Sequence, residues 1–349
     1  MAYSINAKDH FKALNYTGNG SSLAVTGVGF APDLCILKRR DAATTIECYD
    51  DVRGVQKRLQ TQNNDAQDTS STFLTAFGTD GFTLGNHGGI NNNGSVHSSW
   101  NWKAAGSTSA NTAGSINSTV SVNAAAGFSI VTWTGDGSAA TIGHGLGKIP
   151  KYITVKSVST GEQWTQYNEA LGNTYSVQWD TAGGFDSAST YFNATSPTTT
   201  VFSVGSNSRT NKSGDTFIAY VYAEIEGFSR FYNYRSNQDT DGRTIYCGFK
   251  PAWICIKNYA AVNGSSSGNY WHIFDDNNAG VNPKNWRVHW NSGEAEATDE
   301  NVVDILSNGF KLRSNHAQYN GTQGQYYVFQ AFAKAPLVGT NNVPATARY

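Results

Sequence analysis

The chain has 349 residues with nearly balanced charge, 25 Lys and Arg against 26 Asp and Glu. This balance predicts no general attraction to nucleic acid or to an anionic membrane. Charged residues make up 15% of the chain, against about 25% in a typical soluble domain, whereas 13% are aromatic and 36 are glycine. Such a composition favours strands joined by turns over helices, and its aromatic content argues against disorder.

The apolar segments are short. The longest, such as residues 217–222, fall far below the roughly 20 residues that a membrane-spanning helix needs. The first ten residues lack both the basic start and the apolar stretch of a secretory signal. We therefore expect no membrane insertion, and synthesis and assembly in a cytoplasm.

The four cysteines show no Cys-x-x-Cys spacing, and two of them lie inside apolar strand-like segments. They are Cys35, Cys48, Cys247 and Cys255. A small apolar side chain fits such positions. We expect all four to be reduced, buried and structural.

One pattern occurs three times along the chain. Each copy opens with an aromatic strand that starts at Phe11, Phe128 or Phe228. A second strand in each copy runs from a proline to a lysine six residues later. These pairs are Pro32 and Lys38, Pro150 and Lys156, and Pro251 and Lys257. Since the chain has only seven prolines, chance is a poor explanation for this frame.

The rest of each copy is also strand-like. An aromatic segment follows the lysine, then a strand containing Phe82, Phe202 or Phe310, then an Asn/Gly turn and an aromatic closing strand. Short alternating strands at regular intervals predict an all-β fold of three tandem antiparallel β-sandwich modules, jelly-roll-like in size. We place the modules at 1–106, 127–226 and 227–337, with a linker at 107–126 that holds a short strand, and a C-terminal tail at 338–349.

The repeated proline and lysine have a structural interpretation. Proline lacks an N–H group, so it suits the start of a strand or an edge strand. A lysine that ends the strand at the solvent boundary would block the addition of further strands. We therefore expect Lys38, Lys156 and Lys257 to be exposed edge charges and not catalytic groups.

No catalytic motif is present. The sequence has no phosphate-binding loop, no Gly-x-Ser-x-Gly elbow and no His-Glu-x-x-His segment. Its seven histidines are scattered singly, which favours solvated or hydrogen-bonded loop histidines over metal ligands. We predict no catalytic residue, no metal site and no cofactor.

The best alternative with an activity is glycan hydrolysis by paired carboxylates. Acidic residues gather in the third copy: Asp275, Asp276, Glu294, Glu296, Asp299 and Glu300. However, Asp275 occupies the frame position of Asp50 and Asn168, so capping of a turn explains it without catalysis. An asparagine in that frame could not serve as an essential acid.

A binding surface has more support in the same region. Trp286 and Trp290 are four residues apart, beside an Asn-rich loop that contains Asn277, Asn278 and Asn282. Aromatic faces with nearby amides suit sugar stacking, so these five residues are the candidate contacts for a glycan or a partner. Residues 286 and 290 would share one strand face, which favours placing the two tryptophans in a core or a subunit interface over a sugar-binding surface.

The repeated Gly-Phe-x-Pro frame and the motif at residues 143–150, Gly-His-Gly-Leu-Gly-Lys-Ile-Pro, resemble an uncharacterised tandem-repeat family. This family is found in virion structural and tail-fibre proteins of tailed phages, especially marine ones. The resemblance covers residues 11–102, 127–226 and 227–336. Residues 236–239 depart from it, since they replace the Thr-Gly-Asn-Gly turn of the first copy.

The resemblance implies a virion component without enzymatic activity. A tail-fibre or tail-associated protein that recognises the host is favoured, and a capsid decoration or head-fibre protein is the alternative. The expected partners are other virion proteins, further copies of the chain with a trimer favoured, and a host-surface glycan or protein. The expected location is the virion, assembled in the host cytoplasm.

Overall fold

The computed structural model describes residues 5–187, 189–259, 269–277 and 282–336. Strands dominate these residues, and the predicted all-β, antiparallel fold is confirmed. The helices within them are a 3₁₀ turn at Ala7–Asp9 and two four-residue helices. None of the described helices has the length and apolar character required to cross a bilayer.

The described strands form three large antiparallel sheets and three small ones. One stretch of the chain supplies the strands of one large and one small sheet, and we call these two sheets a sheet pair. The first pair contains β1 (Phe11–Thr17), β2 (Leu23–Thr26), β3 (Leu34–Arg39), β4 (Ile46–Asp50), β5 (Lys57–Gln60), β6 (Asp68–Thr69), β7 (Leu74–Gly78), β8 (Gly81–Leu84), α1 (Gly88–Asn91) and β9 (Val96–Trp102). Its large sheet has the order β1-β9-β3-β4-β5-β6, and its small sheet β2-β8-β7.

The second pair contains β10 (Ser109–Asn111), β11 (Ser118–Asn123), β12 (Phe128–Thr134), β13 (Ala140–Gly143), β14 (Tyr152–Ser157), β15 (Thr165–Asn168), β16 (Tyr175–Gln178), β17 (Phe185–Ser187), β18 (Val201–Val204), α2 (Ser208–Asn211) and β19 (Thr216–Tyr222). The sheet orders are β10-β11-β12-β19-β14-β15-β16-β17 and β13-β18. Residues 107–126, expected to be a linker, therefore supply two strands that extend the large sheet of this pair.

The third pair contains β20 (Ser229–Arg235), β21 (Thr244–Tyr246), β22 (Phe249–Asn258), β23 (His272–Asp275), β24 (Val288–His289), β25 (Val303–Leu306), β26 (Gly309–Leu312) and β27 (Tyr326–Pro336). The sheet orders are β20-β27-β22-β23-β24 and β21-β26-β25. Each large sheet thus has the same central order: the opening strand, the closing strand, the strand from the proline to the lysine, and the strand that follows the lysine. These are β1-β9-β3-β4, β12-β19-β14-β15 and β20-β27-β22-β23. The repeat in the sequence is a repeat in topology.

The repeated prolines lie where a missing N–H group is tolerated. Pro32 and Pro150 each precede their strand by two residues. Pro251 lies inside β22, at a point where the pairing with β27 shifts register. The strands that they introduce, β3, β14 and β22, are internal strands of the large sheets.

Each large sheet buries both faces. Along β19, the side chains of Phe217, Ala219 and Val221 pack inside the second sheet pair. The alternate side chains of the same strand, Ile218 and Tyr220 among them, enter a core shared by all three pairs. This alternation follows from the two-residue period of a strand. The three large sheets therefore face one another across a common core.

The common core is rich in aromatic side chains. Trp290 is 2% exposed, and its ring centroid lies 4.7 Å from that of Trp179, 5.9 Å from Trp100 and 6.0 Å from Trp253. These four indoles come from all three sheet pairs. Truncating one such side chain typically costs about 3–5 kcal/mol, so the common core couples the stability of the three pairs, although the first and second pairs also have smaller cores of their own.

A buried asparagine anchors the first loop of every sheet pair. Asn91, Asn211 and Asn320 are fully buried. The Asn211 amide donates to Asp136 Oδ1 at 2.8 Å and to the Ser138 carbonyl oxygen at 2.6 Å. The other two make corresponding bonds to the loops at residues 19–21 and 237–239. The altered turn of the third copy is therefore held by the same device as the turns that it departs from.

The four cysteines are free and buried, which confirms the prediction. Burial raises the pKa of the Cys48 thiol to about 12, so the reactive thiolate is not populated near neutral pH. Several histidines differ from expectation. His97, His272 and His289 lie within strands and are buried, because these strands have two packed faces and no solvated one.

Candidate functional site at the junctions between sheet pairs

The repeated lysines are not exposed edge charges, and that prediction is wrong. Lys38, Lys156 and Lys257 all have 0% exposure. Each lies on an internal strand, whose position in the sheet is set by pairing with a closing strand far along the chain. The amine at the end of each strand meets backbone carbonyl groups and not water.

Each lysine joins its own sheet pair to another pair. Lys38 Nζ donates to the Thr44 carbonyl oxygen at 2.9 Å and to that of Gly293, in the third pair, at 3.0 Å. The carbonyl acceptors of Lys156 Nζ are Glu162 at 2.7 Å and, in the first pair, Asn64 at 3.1 Å.

The third lysine completes the series. Lys257 Nζ donates to the carbonyl oxygens of Asn269 and, at 3.2 Å in the second pair, Thr181. The first pair thus contacts the third, the third contacts the second, and the second contacts the first. These bonds form a closed ring of three equivalent junctions.

Burial has an electrostatic cost for these amines. Desolvation lowers the pKa of Lys38 and of Lys156 to about 8 and that of Lys257 to about 7. The Lys257 amine also lies 5.6 Å from the centre of the Trp271 ring. Three carbonyl-bonded lysines therefore favour one arrangement of the sheet pairs at the expense of desolvation.

A second ring of contacts uses the closing strands. Trp100, Tyr220 and Gln330 face the corresponding residue of each proline–lysine strand. Tyr220 Oη donates to Asp50 at 2.8 Å, and Trp100 Nε1 donates to Asp275 at 3.2 Å. Gln330 Nε2 donates to the Tyr152 hydroxyl. Each bond crosses to another sheet pair in the same cyclic direction as the lysine bonds.

The frame position shared by Asp50, Asn168 and Asp275 caps a turn in every copy, which confirms the turn-capping interpretation. Its side-chain oxygen accepts from the backbone N–H of Arg53 at 2.8 Å, of Ala170 at 2.9 Å or of Asn277 at 3.1 Å.

The acidic residues of the glycan-hydrolase alternative are held by separate partners. Asp276 faces Lys250, Lys284 and Lys334. Glu294 lies 3.0 Å from His289 Nδ1, and Asp299 lies 2.7 Å from Arg287. Glu296 accepts from Arg40 Nε at 3.0 Å, and Glu300 accepts from the Ser314 hydroxyl. These contacts give each carboxylate a structural role at the surface or at a junction.

The two candidate tryptophans are in different environments. Trp290 is in the common core, so its ring faces are not available to a ligand; the core alternative describes it correctly. Trp286 is partly exposed, with the Arg40 guanidinium 5.5 Å from its ring centre. The two do not share a strand face, because β24 is regular only at Val288–His289.

The candidate asparagines also separate. Asn277 is exposed, and its carbonyl oxygen accepts from Asn15 Nδ2 at 3.3 Å. Asn282 is exposed, but its side chain bonds both backbone groups of Ile305, at 2.8 and 2.9 Å. Asn278 lies outside the described residues. The structure therefore brings Trp286 and Asn277 to the surface where the first and third pairs meet.

A groove of about 430 Å³ lies where the first and second pairs meet. Its lining residues are Val52, Arg53, Lys57, Gln67, Thr132, Val158, Ser159 and Thr216. The lining combines the cationic side chains of Arg53 and Lys57 with polar groups and two valines. Within the described part of the chain, no group of three or more His, Cys, Asp or Glu side chains is arranged to hold a metal ion.

Sequence reasoning missed the junction function of the lysines and of Trp100, Tyr220 and Gln330. One available signal was spacing, since Lys38, Lys156 and Lys257 each follow the repeated proline by six residues. The closing-strand residues gave no such signal, because their chemical types differ from copy to copy.

Comparison with known proteins gives a family but no activity. Residues 6–336 match the family described as Domain of unknown function (DUF7483). The chain belongs to this family, which covers all three sheet pairs. No curated protein matches the chain, and no solved structure matches it.

Proposed function

We propose that this protein is a structural component of a tailed-phage particle without enzymatic activity, located at the tail as a fibre or tail-associated host-recognition protein. The observation that carries the proposal is the closed ring of buried junctions. The repeated lysines Lys38, Lys156 and Lys257 hold the three sheet pairs together. A rigid body of this kind suits a particle component, and the sequence resemblance to virion structural proteins points the same way.

The contact surface of this proposed function is the region around Trp286 and Asn277. The Trp286 ring lies beside Arg40, and the Asn277 backbone carbonyl oxygen accepts from Asn15, so the first sheet pair holds both residues at the junction. Partly exposed aromatic and amide groups suit a host-surface glycan or protein. The same rigidity would orient a receptor contact relative to the particle.

Gold-labelled antibody against the full chain, applied to purified particles that carry it, tests the location. Label on the tail supports the proposal. Label spread over the head would make the protein a decoration protein, and unlabelled particles would overturn the virion proposal. Adsorption of particles with Trp286→Ala tests the contact surface, with Tyr246→Ala at a 60% exposed position of the third pair as control.

A capsid decoration or head-fibre protein is the second candidate. The cyclic contacts favour it specifically, because three similar units closed into a ring within one chain match a threefold position on a particle surface. Glycan cleavage is tested separately, by measuring release of reducing ends from host polysaccharide. Release that is abolished by Asp276→Asn or Glu296→Gln would contradict the non-enzymatic assignment.

A further inference from the structure

A cluster of rings lies beside the junction between the first and third sheet pairs. His272 and His289 are directly opposite each other on β23 and β24, with ring centroids 4.8 Å apart. Tyr319 lies 4.6 Å from His272, and Tyr270 stacks on His289 at 4.4 Å. Two histidines that can each gain a proton are thus paired within one edge of a sheet.

The His272 imidazole is neutral and unbonded in this position. It is 0% exposed, and neither ring nitrogen has a hydrogen-bond partner among the described residues. Burial first, and then the charges of His289, Arg287, Lys257 and His316, hold its pKa well below the usual value. If His272 gained a proton, the new N–H group would have no hydrogen-bond acceptor among the described residues. The charged ring would also be repelled by the groups just named, which lie on β22, in or next to β24, and on the loop after β26.

The carboxylates near the cluster are already paired with other groups. Glu294 accepts from His289, and Asp299 is paired with Arg287. Glu300 accepts from Ser314. None of these three provides a bond to His272, so protonation of this ring is compensated only if the strands separate and water enters.

The strand that would separate leads directly into the junction. Immediately after β24, the Trp290 carbonyl oxygen accepts from Thr61 Oγ1 at 2.9 Å. The Gly293 carbonyl oxygen accepts from Lys38 Nζ and from Thr44 N. Glu296 is paired with Arg40. These four contacts between the first and third pairs therefore depend on the position of β24.

We propose that protonation of the His272–His289 pair under mildly acidic conditions opens the junction between the first and third sheet pairs. The open state gains protons that the closed state excludes, so acid shifts the equilibrium towards opening. Each histidine that gains a proton on opening increases the opening equilibrium by up to about tenfold per pH unit below about 6.5.

Hydrogen–deuterium exchange of the full chain at pH 7 and pH 5, corrected for the intrinsic rates, tests this proposal. Peptides covering residues 38–46 and 286–296 should lose protection at pH 5 by at least about tenfold, while β14 and β19 keep theirs. Equal protection at both values of pH in the wild-type protein would overturn the proposal without any variant.

The chain provides a matched control for mutagenesis. His144 is also 0% exposed, but its Nε2 lies 3.2 Å from the Thr198 carbonyl oxygen and its Nδ1 accepts from Leu146 N. His272→Phe should abolish the acid-induced loss of protection, whereas His144→Phe should retain it. If His272→Phe does not fold, His289→Phe serves in its place; retention of the full acid response in the folded variant contradicts the mechanism.

Discussion

The Lys156 amine donates a 3.1 Å hydrogen bond to the backbone carbonyl oxygen of Asn64, 92 positions earlier in the chain. The same amine bonds the Glu162 carbonyl oxygen within its own sheet pair. One buried lysine thus fixes a local loop and a distant loop against each other. Because Lys38 and Lys257 repeat this arrangement, the geometry of the whole molecule depends on three equivalent amines.

Lys156→Ala should lower the free energy of unfolding by about 2–3 kcal/mol, because it leaves two carbonyl oxygens without a donor and creates a cavity. Denaturant unfolding measures the change. Lys148→Ala is the control, since Lys148 Nζ also bonds a carbonyl oxygen, that of Ala124, but in an exposed contact. Similar losses in the two variants would contradict a special role for the buried amine.

The contribution of Lys257 to the free energy of unfolding should increase with pH between the folded and unfolded pKa values of its amine. Its pKa is about 7 when folded and about 10.4 when unfolded. Between these values the unfolded chain binds one more proton than the folded chain, so raising the pH favours folding. The loss of stability that results from burying the protonated amine is fully present below pH 7.

The difference in unfolding free energy between the wild-type protein and Lys257→Met isolates this effect. It should grow in favour of the wild type by up to about 1.4 kcal/mol per pH unit between about pH 7.5 and 9. Parallel pH profiles for the two proteins would show that the folded pKa of Lys257 is not lowered.

Trp290→Ala should destabilise the protein by about 3–5 kcal/mol, because it leaves a cavity in the common core where four indoles meet. Trp286→Ala should leave the unfolding midpoint nearly unchanged, since its ring is at the surface. Thermal unfolding of both variants separates the core residue from the contact residue. A large loss in Trp286→Ala would show that its packing against Arg40 is structural.

Asn320→Ala should cost about 2 kcal/mol, because the backbone N–H of Asn237 and the carbonyl oxygen of Asp239 lose their partners. Asn173→Ala is the control, since the Asn173 amide bonds Ser196 in an exposed contact. If Asn320→Ala unfolds at the wild-type denaturant concentration, the buried asparagine does not anchor the loop.

Much of the fold could be predicted from the sequence, because strand identity depends on local pattern. The alternation after Pro32 and Pro150 and the aromatic segments that follow each lysine correspond to real strands. The capping function of Asp50, Asn168 and Asp275 was also predictable, since a side chain that bonds a backbone N–H two or three residues later acts locally.

The position of a strand within its sheet could not be predicted in the same way. Lys38 lies on an internal strand because β9, about 60 residues further along the chain, pairs beside it; no local pattern specifies such a partner. Residues 109–123 contain no aromatic residue, so the pairing of β11 with β12 gave no signal either. Contacts between sheet pairs, and therefore the candidate site, depend on these long-range choices.

Closure of the three junctions also constrains how the protein can change over evolutionary time. A linear array of modules can gain or lose one unit without disturbing the others. Here, removing a unit would expose a lysine amine on one neighbour and a set of carbonyl acceptors on the other, and inserting a fourth would force every junction angle to change. We therefore expect related sequences to vary in the outward loops and to keep three units, because the interior geometry closes with three.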